Sequence, residues 1–169
     1  VTYTVKNHLL YKGNERVSYK LSPNRGGVIK PELVVIHYTG DNGTGGLNWL
    51  TTKGSGVSAH LWIAKTGIVW QLLPFNIRGW HAGRSEYDGR GDVNSWSVGI
   101  ENQGLGDVWP EKQIQANIDV IKALCAVYDI VDLVGHDEVA IPEGRKVDPG
   151  ERYPWRRIGD ACGFQWAGV

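Results

Sequence analysis

The stretch Leu33-Val34-Val35-Ile36-His37-Tyr38-Thr39-Gly40 opens with an unbroken apolar, β-branched run and closes on a histidine, a tyrosine and a glycine turn. A run of this kind has no polar face, so residues 33–38 read as a strand in the middle of a sheet covered on both sides. His37 then stands at the rim, where the buried strand emerges. A second run, Val131-Asp132-Leu133-Val134-Gly135, delivers His136 in the same way. Two neighbouring strands ending on one sheet edge would bring both imidazoles to one place.

The remaining pattern builds outward from these two strands. Ser58–Ala64 and Ile68–Leu73, divided by Lys65-Thr66-Gly67, form a β-hairpin pattern with a glycine turn. Ser97–Asn102 is a further strand, with Glu101 placed near its exit. Residues 46–52 suit a short helix closing at Gly54. Pro110 suits the first turn of a longer helix, in which Ile114, Ile118, Ile121, Cys125 and Tyr128 recur at helical spacing. Interleaved strands and helices predict an α/β fold, a mixed central sheet with helices packed on its faces. Residues 82–95 form a long loop of the kind that often carries function. Residues 1–30 are mixed and polar and end in turn chemistry, Ser22 to Gly27, so they are expected to wrap a single domain spanning residues 1–169.

Composition narrows the partners. The 169 residues carry 18 basic and 18 acidic side chains, so no net field draws the chain to nucleic acid or an acidic membrane. No apolar window reaches the roughly 18 residues of a membrane span. The N-terminus lacks the charged-then-apolar layout of a secretory signal. A monomer is expected. Cys125 and Cys162 lack CxxC spacing and read as unpaired, partly buried thiols. Eight tryptophans divide between packing and a carbohydrate-facing groove.

His37, His136 and Asp148 could give three ligands to one Zn²⁺ and leave a fourth position open, the ligand count of a catalytic zinc. The chain therefore reads as a metal-dependent hydrolase. Taken singly, each histidine fits a structural imidazole equally well, and Asp148-Pro149-Gly150 is an ordinary turn. Lys146 would stabilise an oxyanion if it points into the site, and is a solvated charge otherwise. Among the other histidines, His60 reads as a packed or supporting imidazole and His8 as a surface residue. His81, in Trp80-His81-Ala82-Gly83, suits substrate contact or loop packing. Arg145, Arg156 and Arg157 read as surface charges, and Arg90-Gly91-Asp92 as a chance tripeptide.

Taken together, six motifs in order resemble the type 2 N-acetylmuramoyl-L-alanine amidases, which share their fold with peptidoglycan-recognition proteins. They are Ser22-Pro23-Asn24; Val34 to Thr39; Val57-Ser58-Ala59-His60; Trp80-His81-Ala82-Gly83; Val93-Asn94 with Ser97 to Glu101; and Gly135-His136-Asp137 with Gly144 to Gly150. The resemblance covers residues from about 22 to 155. It implies zinc ligands at His37, His136 and Asp148, a general base at Glu101, a transition-state stabiliser at Lys146, and groove residues at Trp80 and His81. Some phage members place a catalytic tyrosine where this chain has Ala59, which points to the glutamate-using branch. The implied reaction is hydrolysis of the amide between N-acetylmuramic acid and L-alanine. The expected setting is a phage or prophage endolysin, made in the host cytoplasm and acting on the periplasmic wall. The alternatives are a cytoplasmic amidase recycling anhydro-muropeptides and a non-catalytic peptidoglycan-binding module.

Overall fold

The computed structural model describes residues 2–164. Strands β1 (Tyr3–Lys6), β2 (Leu9–Lys12) and β3 (Glu15–Arg16) form a small antiparallel sheet. Then follow β4 (Ser18–Tyr19), β5 (Leu33–Tyr38), α1 (Gly45–Leu50), β6 (Leu61–Ile63), β7 (Val69–Gln71) and the hairpin β8 (Glu86–Tyr87) and β9 (Arg90–Gly91). The chain continues through a 3₁₀ turn at Val93–Ser95, β10 (Ser97–Asn102), α2 (Glu111–Cys125), β11 (Asp132–Gly135), α3 (His136–Val139) and α4 (Trp155–Cys162). The central sheet runs β11-β5-β10-β6-β7-β4. It is mixed: β5 pairs parallel with β10 and β11, while β6 and β7 form the antiparallel hairpin.

The strand pattern explains the layers. Along β5, Val34 and Ile36 face one core and Leu33 and Val35 the other, all fully buried. On β10, Val98 and Ile100 join the first core. That core is completed by Ile114, Ile118, Ile121 and Leu124 of α2 and Ile158 of α4. The opposite face is not one continuous core. It divides into a cluster around Trp96, Val93 and Val139 and another around Trp62, Leu47 and Leu50. Ser97, Gly99 and Glu101, at the alternate positions of β10, face the ground between them. His37 has the same parity on β5.

Several elements depart from the sequence reading. Residues 1–30 carry four short strands: Tyr3 and Leu10 enter the main core, and β4 joins the sheet edge beside β7. The 82–95 loop contains the hairpin and the 3₁₀ turn. Cys162, expected in a tail, ends α4, a helix whose Ile158 is wholly buried. His8 is half-buried, with its Nδ1 2.6 Å from the Tyr128 hydroxyl. Both cysteines are free. Arg90 pairs with Glu32 and lies over the Trp96 ring, and Asp92 pairs with Arg78, so the Arg-Gly-Asp tripeptide is tied into the fold. No described helix is long and apolar enough to cross a membrane.

Candidate metal centre

His37 leaves the carboxyl end of β5 only 1% exposed, and a buried polar network holds the strand at this point. Asn102 Nδ2 donates to the His37 carbonyl at 3.2 Å, Asn117 Nδ2 to Asn102 Oδ1 at 2.7 Å, and Tyr153 to Asn117 Oδ1 at 3.0 Å. Helix α2 and the segment before α4 thus reach β5 through hydrogen bonds. His136 opens α3, directly after β11. Its neighbour must be glycine: a Cβ on Gly135 would lie 2.9 Å from Pro149 Cδ and 2.1 Å from Asp137 Oδ1. That close approach seats the 148–150 loop on the start of α3, where the Asp137 amide donates to the Asp148 carbonyl at 2.9 Å.

The result is a triangle of donor atoms. His37 Nδ1 lies 3.0 Å from His136 Nδ1 and 3.1 Å from Asp148 Oδ2, and His136 Nδ1 lies 3.2 Å from the same oxygen. A tetrahedral site with zinc bonds of about 2.0–2.1 Å spaces its ligand atoms about 3.3 Å apart, so the triangle fits. Proton placement agrees. His136 Nε2 faces the Ala82 carbonyl at 3.2 Å, and a carbonyl only accepts, so the proton sits on Nε2 and Nδ1 presents a lone pair.

Burial holds His37 down to about 4, which keeps its imidazole neutral near pH 7. Burial works against ionisation of Asp148, but its hydrogen bonds with His136 and His37 prevail and hold it well below the usual carboxylate range. A neutral imidazole and an ionised carboxylate are the forms that ligate metals.

Beside the triangle, a cleft is lined by Tyr38, Trp49, Trp80, Glu101 and Lys146. Glu101 Oε2 is buried without a hydrogen-bond partner among the described residues. Burial, reinforced by Asp148 and opposed by Lys146, pushes Glu101 up to about 8. Trp80 is half-buried and held by a hydrogen bond from its amide to Ser58 Oγ at 3.0 Å. Trp49 was not among the sequence candidates, yet it is 58% exposed on α1 while its neighbours Leu47 and Leu50 face the core. An aromatic at the polar position of a short helix was the available signal.

His81 and His60 lie deeper. His60 is fully buried, accepting from the Gly99 amide at 3.0 Å and bonding the Ile77 carbonyl at 2.7 Å. His81 is 7% exposed, with Nδ1 3.1 Å from His37 Nε2 and Nε2 3.3 Å from Ser97 Oγ. Burial, with the neighbouring histidines, holds His81 well below its ordinary value. Arg145 is exposed, as expected from the sequence, but its guanidinium is held by backbone carbonyls. Its Nε donates to the Ile141 carbonyl at 2.9 Å, and its Nη2 to the Ala82 and Arg84 carbonyls at 2.9 and 2.8 Å. Arg157 also lies at the surface, paired with Glu111.

Residues 27–151 match the N-acetylmuramoyl-L-alanine amidase family. The chain is 41% identical over 105 residues to 1,6-anhydro-N-acetylmuramyl-L-alanine amidase AmpD of Escherichia coli (strain K12), an overlap of 60% of this chain and 56% of that protein. It is 34% identical over 148 residues to N-acetylmuramoyl-L-alanine amidase AmiD of the same organism, covering 75% of this chain and 51% of AmiD. The chain thus spans about half the length of these curated relatives. Its fold superposes on a selenomethionine derivative of AmpD with TM-score 0.80 at 28% identity, over 93% of this chain and 98% of that one. With E. coli AmiD, solved in complex with the substrate anhydro-N-acetylmuramic acid-L-Ala-D-γ-Glu-L-Lys, the TM-score is 0.74 at 28% identity, over 99% and 68%. The endolysin LysCS of Clostridium intestinale shares the fold, with TM-score 0.71 at 22% identity over 89% and 97%.

Proposed function

The chain belongs to the N-acetylmuramoyl-L-alanine amidase family, and on that premise we propose that it is a zinc amidase. It cleaves the bond between the lactyl group of N-acetylmuramic acid and the L-alanine of a stem peptide, with zinc held by His37, His136 and Asp148. The observation that carries this reading is the triangle of donor atoms, 3.0–3.2 Å on its edges, beside the unpaired carboxyl of Glu101.

Zinc, when bound, supplies Lewis acidity toward water and the scissile carbonyl. The chain's own residues do the rest. Glu101 takes the proton of the attacking water as the O–C bond forms, and returns it to the alanine nitrogen as the C–N bond breaks. Burial pushes Glu101 up to about 8, where the carboxyl is a willing acid for the second step; the carboxylate that the first step needs would be favoured by a zinc ion in the site. Lys146 lines the same cleft, where its ammonium offsets the negative charge that develops on the carbonyl oxygen. Trp49 and Trp80 offer flat apolar surfaces to the sugar and the peptide.

Soluble anhydro-muropeptide is the substrate favoured here, in place of the wall polymer expected of an endolysin. The relatives matched by sequence include 1,6-anhydro-muramyl amidases, and AmiD was solved with an anhydro-muramyl peptide. The endolysin LysCS, at 22% identity, is a likeness of fold alone. Product mass spectrometry decides the matter when zinc-loaded protein meets anhydro-muropeptide and intact sacculi in parallel. Stem release from the soluble fragment, abolished by a chelator, supports the proposal. Release from sacculi alone restores the lytic reading, and cleavage of neither overturns the enzyme.

A further inference from the structure

His81 and Ala82 touch both candidate ligand histidines from behind. His81 Nδ1 is 3.1 Å from His37 Nε2, and the Ala82 carbonyl is 3.2 Å from His136 Nε2. The two residues are themselves fixed. Both their amides donate to Asn94 Oδ1, at 3.1 and 2.9 Å, and Asn94 is 5% exposed. Arg145 donates to the Ala82 carbonyl from the far side. The His81 ring lies across Gly99 of β10, where a Cβ would come within 2.5 Å of its Cγ. A side chain on Gly99 would push the imidazole away from His37.

We propose that the His81–Ala82 segment is the positioning element of the metal centre, fixing the tautomer and orientation of both ligand histidines. The proposal rests on the zinc site described above. The proton inventory closes in one way when His37 Nδ1 is a ligand. Its remaining proton is on Nε2 and is donated to His81 Nδ1; the His81 proton is then on Nε2, facing the hydroxyl of Ser97 at 3.3 Å. His136 is served by the carbonyl alone. Partners of this kind orient ligand imidazoles and raise their basicity, and losing one weakens metal binding by roughly 10–100-fold. His81 is thereby a positioning residue, with both ring nitrogens engaged by protein groups, although it also lines the cleft.

The test is zinc affinity, measured by chelator competition, alongside steady-state kinetics on anhydro-muropeptide at saturating zinc. His81→Phe keeps a ring over Gly99 and removes both nitrogens; it should weaken zinc binding by roughly 10-fold or more while KM stays within about 2-fold. His81→Asn restores an acceptor near the Nδ1 position and should recover most of the affinity. Ser97→Ala removes one oxygen and carries the test whatever the ring substitution does to folding; several-fold weaker zinc binding is expected. Unchanged zinc affinity in both His81→Phe and Ser97→Ala, or a raised KM with affinity intact, overturns the positioning role. Wild-type protein that binds no zinc overturns the metal centre itself, a different and recognisable failure.

Discussion

Glu101 and His37 are direct partners in the parallel pairing of β10 with β5, so a carboxyl and an imidazole leave the sheet side by side on the same face. The pairing needs no loop to achieve it. Two strands of equal length, β5 an apolar run and β10 an alternating one, end level and present His37 and Glu101 together. This places the proposed base beside the proposed metal by backbone geometry alone, and the rigid centre of the sheet keeps it there.

Glu101→Gln keeps the shape of that side chain and removes its basicity. We expect kcat on anhydro-muropeptide to fall by roughly 100-fold or more, the scale of a lost general base. Zinc content, read by metal analysis of the purified variant, should remain one per chain because Glu101 is outside the donor triangle. A variant with normal turnover would remove Glu101 from the chemistry.

The same substitution has a signature in stability. Glu101 titrates at about 8 in the folded chain, raised by burial from an ordinary 4.5. Between those values the folded state holds a proton that the unfolded state has released, so stability falls as pH rises through the window. Below pH 4.5 both states are protonated and the effect vanishes. In metal-free protein, Glu101→Gln should therefore raise Tm at pH 8 and change it little at pH 4. Calorimetry at the two pH values checks this, and an equal shift at both would show that ionisation is not the cause.

How much of this was legible depends on the length over which each signal extends. The six apolar-rich residues of β5 and the recurrent Ile114, Ile118 and Ile121 of α2 carry their periodicity in plain view. Glu101 could be placed because β10 alternates up to it. The strands of two to four residues before β5 are too short for a period to show, and they gain their place from packing on α2 and β7. In α4, Ile158 has few apolar companions among arginines and an aspartate, so the helix was missed. Arg145 is the sharpest case. Its guanidinium is bound by backbone carbonyls some sixty residues upstream, and a carbonyl has no letter in the sequence. The coupling of His81 to His37 is hidden for the same reason: it lies in the closure of the fold over Gly99, a contact between residues far apart in the chain.

Lys146 and Arg145 are adjacent cations with different work. Arg145 is committed to carbonyls, whereas Lys146 lines the cleft beside Glu101 and lowers its affinity for a proton. Lys146→Ala should reduce kcat more than it raises KM, as expected when an interaction forms only in the transition state. The reverse split, a raised KM with kcat preserved, would make it a binding residue. Lys146→Arg keeps the charge but spreads it over a planar fork, and partial recovery of kcat is expected.

Trp49 tests the shape of the cleft and not its chemistry. It projects from α1 with 58% of its surface exposed, although Leu47 and Leu50 on the same short helix are buried against Trp62 and Leu72. An indole left in solvent at the mouth of a cleft, with Trp80 also lining it, is available to pack on a bound sugar or peptide. Because it contacts no donor atom of the triangle, Trp49→Ala should leave zinc binding unchanged and alter kcat by less than about 3-fold. KM should rise by roughly 10-fold, the value of about 1.4 kcal/mol of lost stacking. Stability should change little, since the removed surface is mostly in water already. Michaelis kinetics with a melting curve settle it: an unchanged KM would take Trp49 out of the substrate groove, and a large fall in Tm would return it to packing.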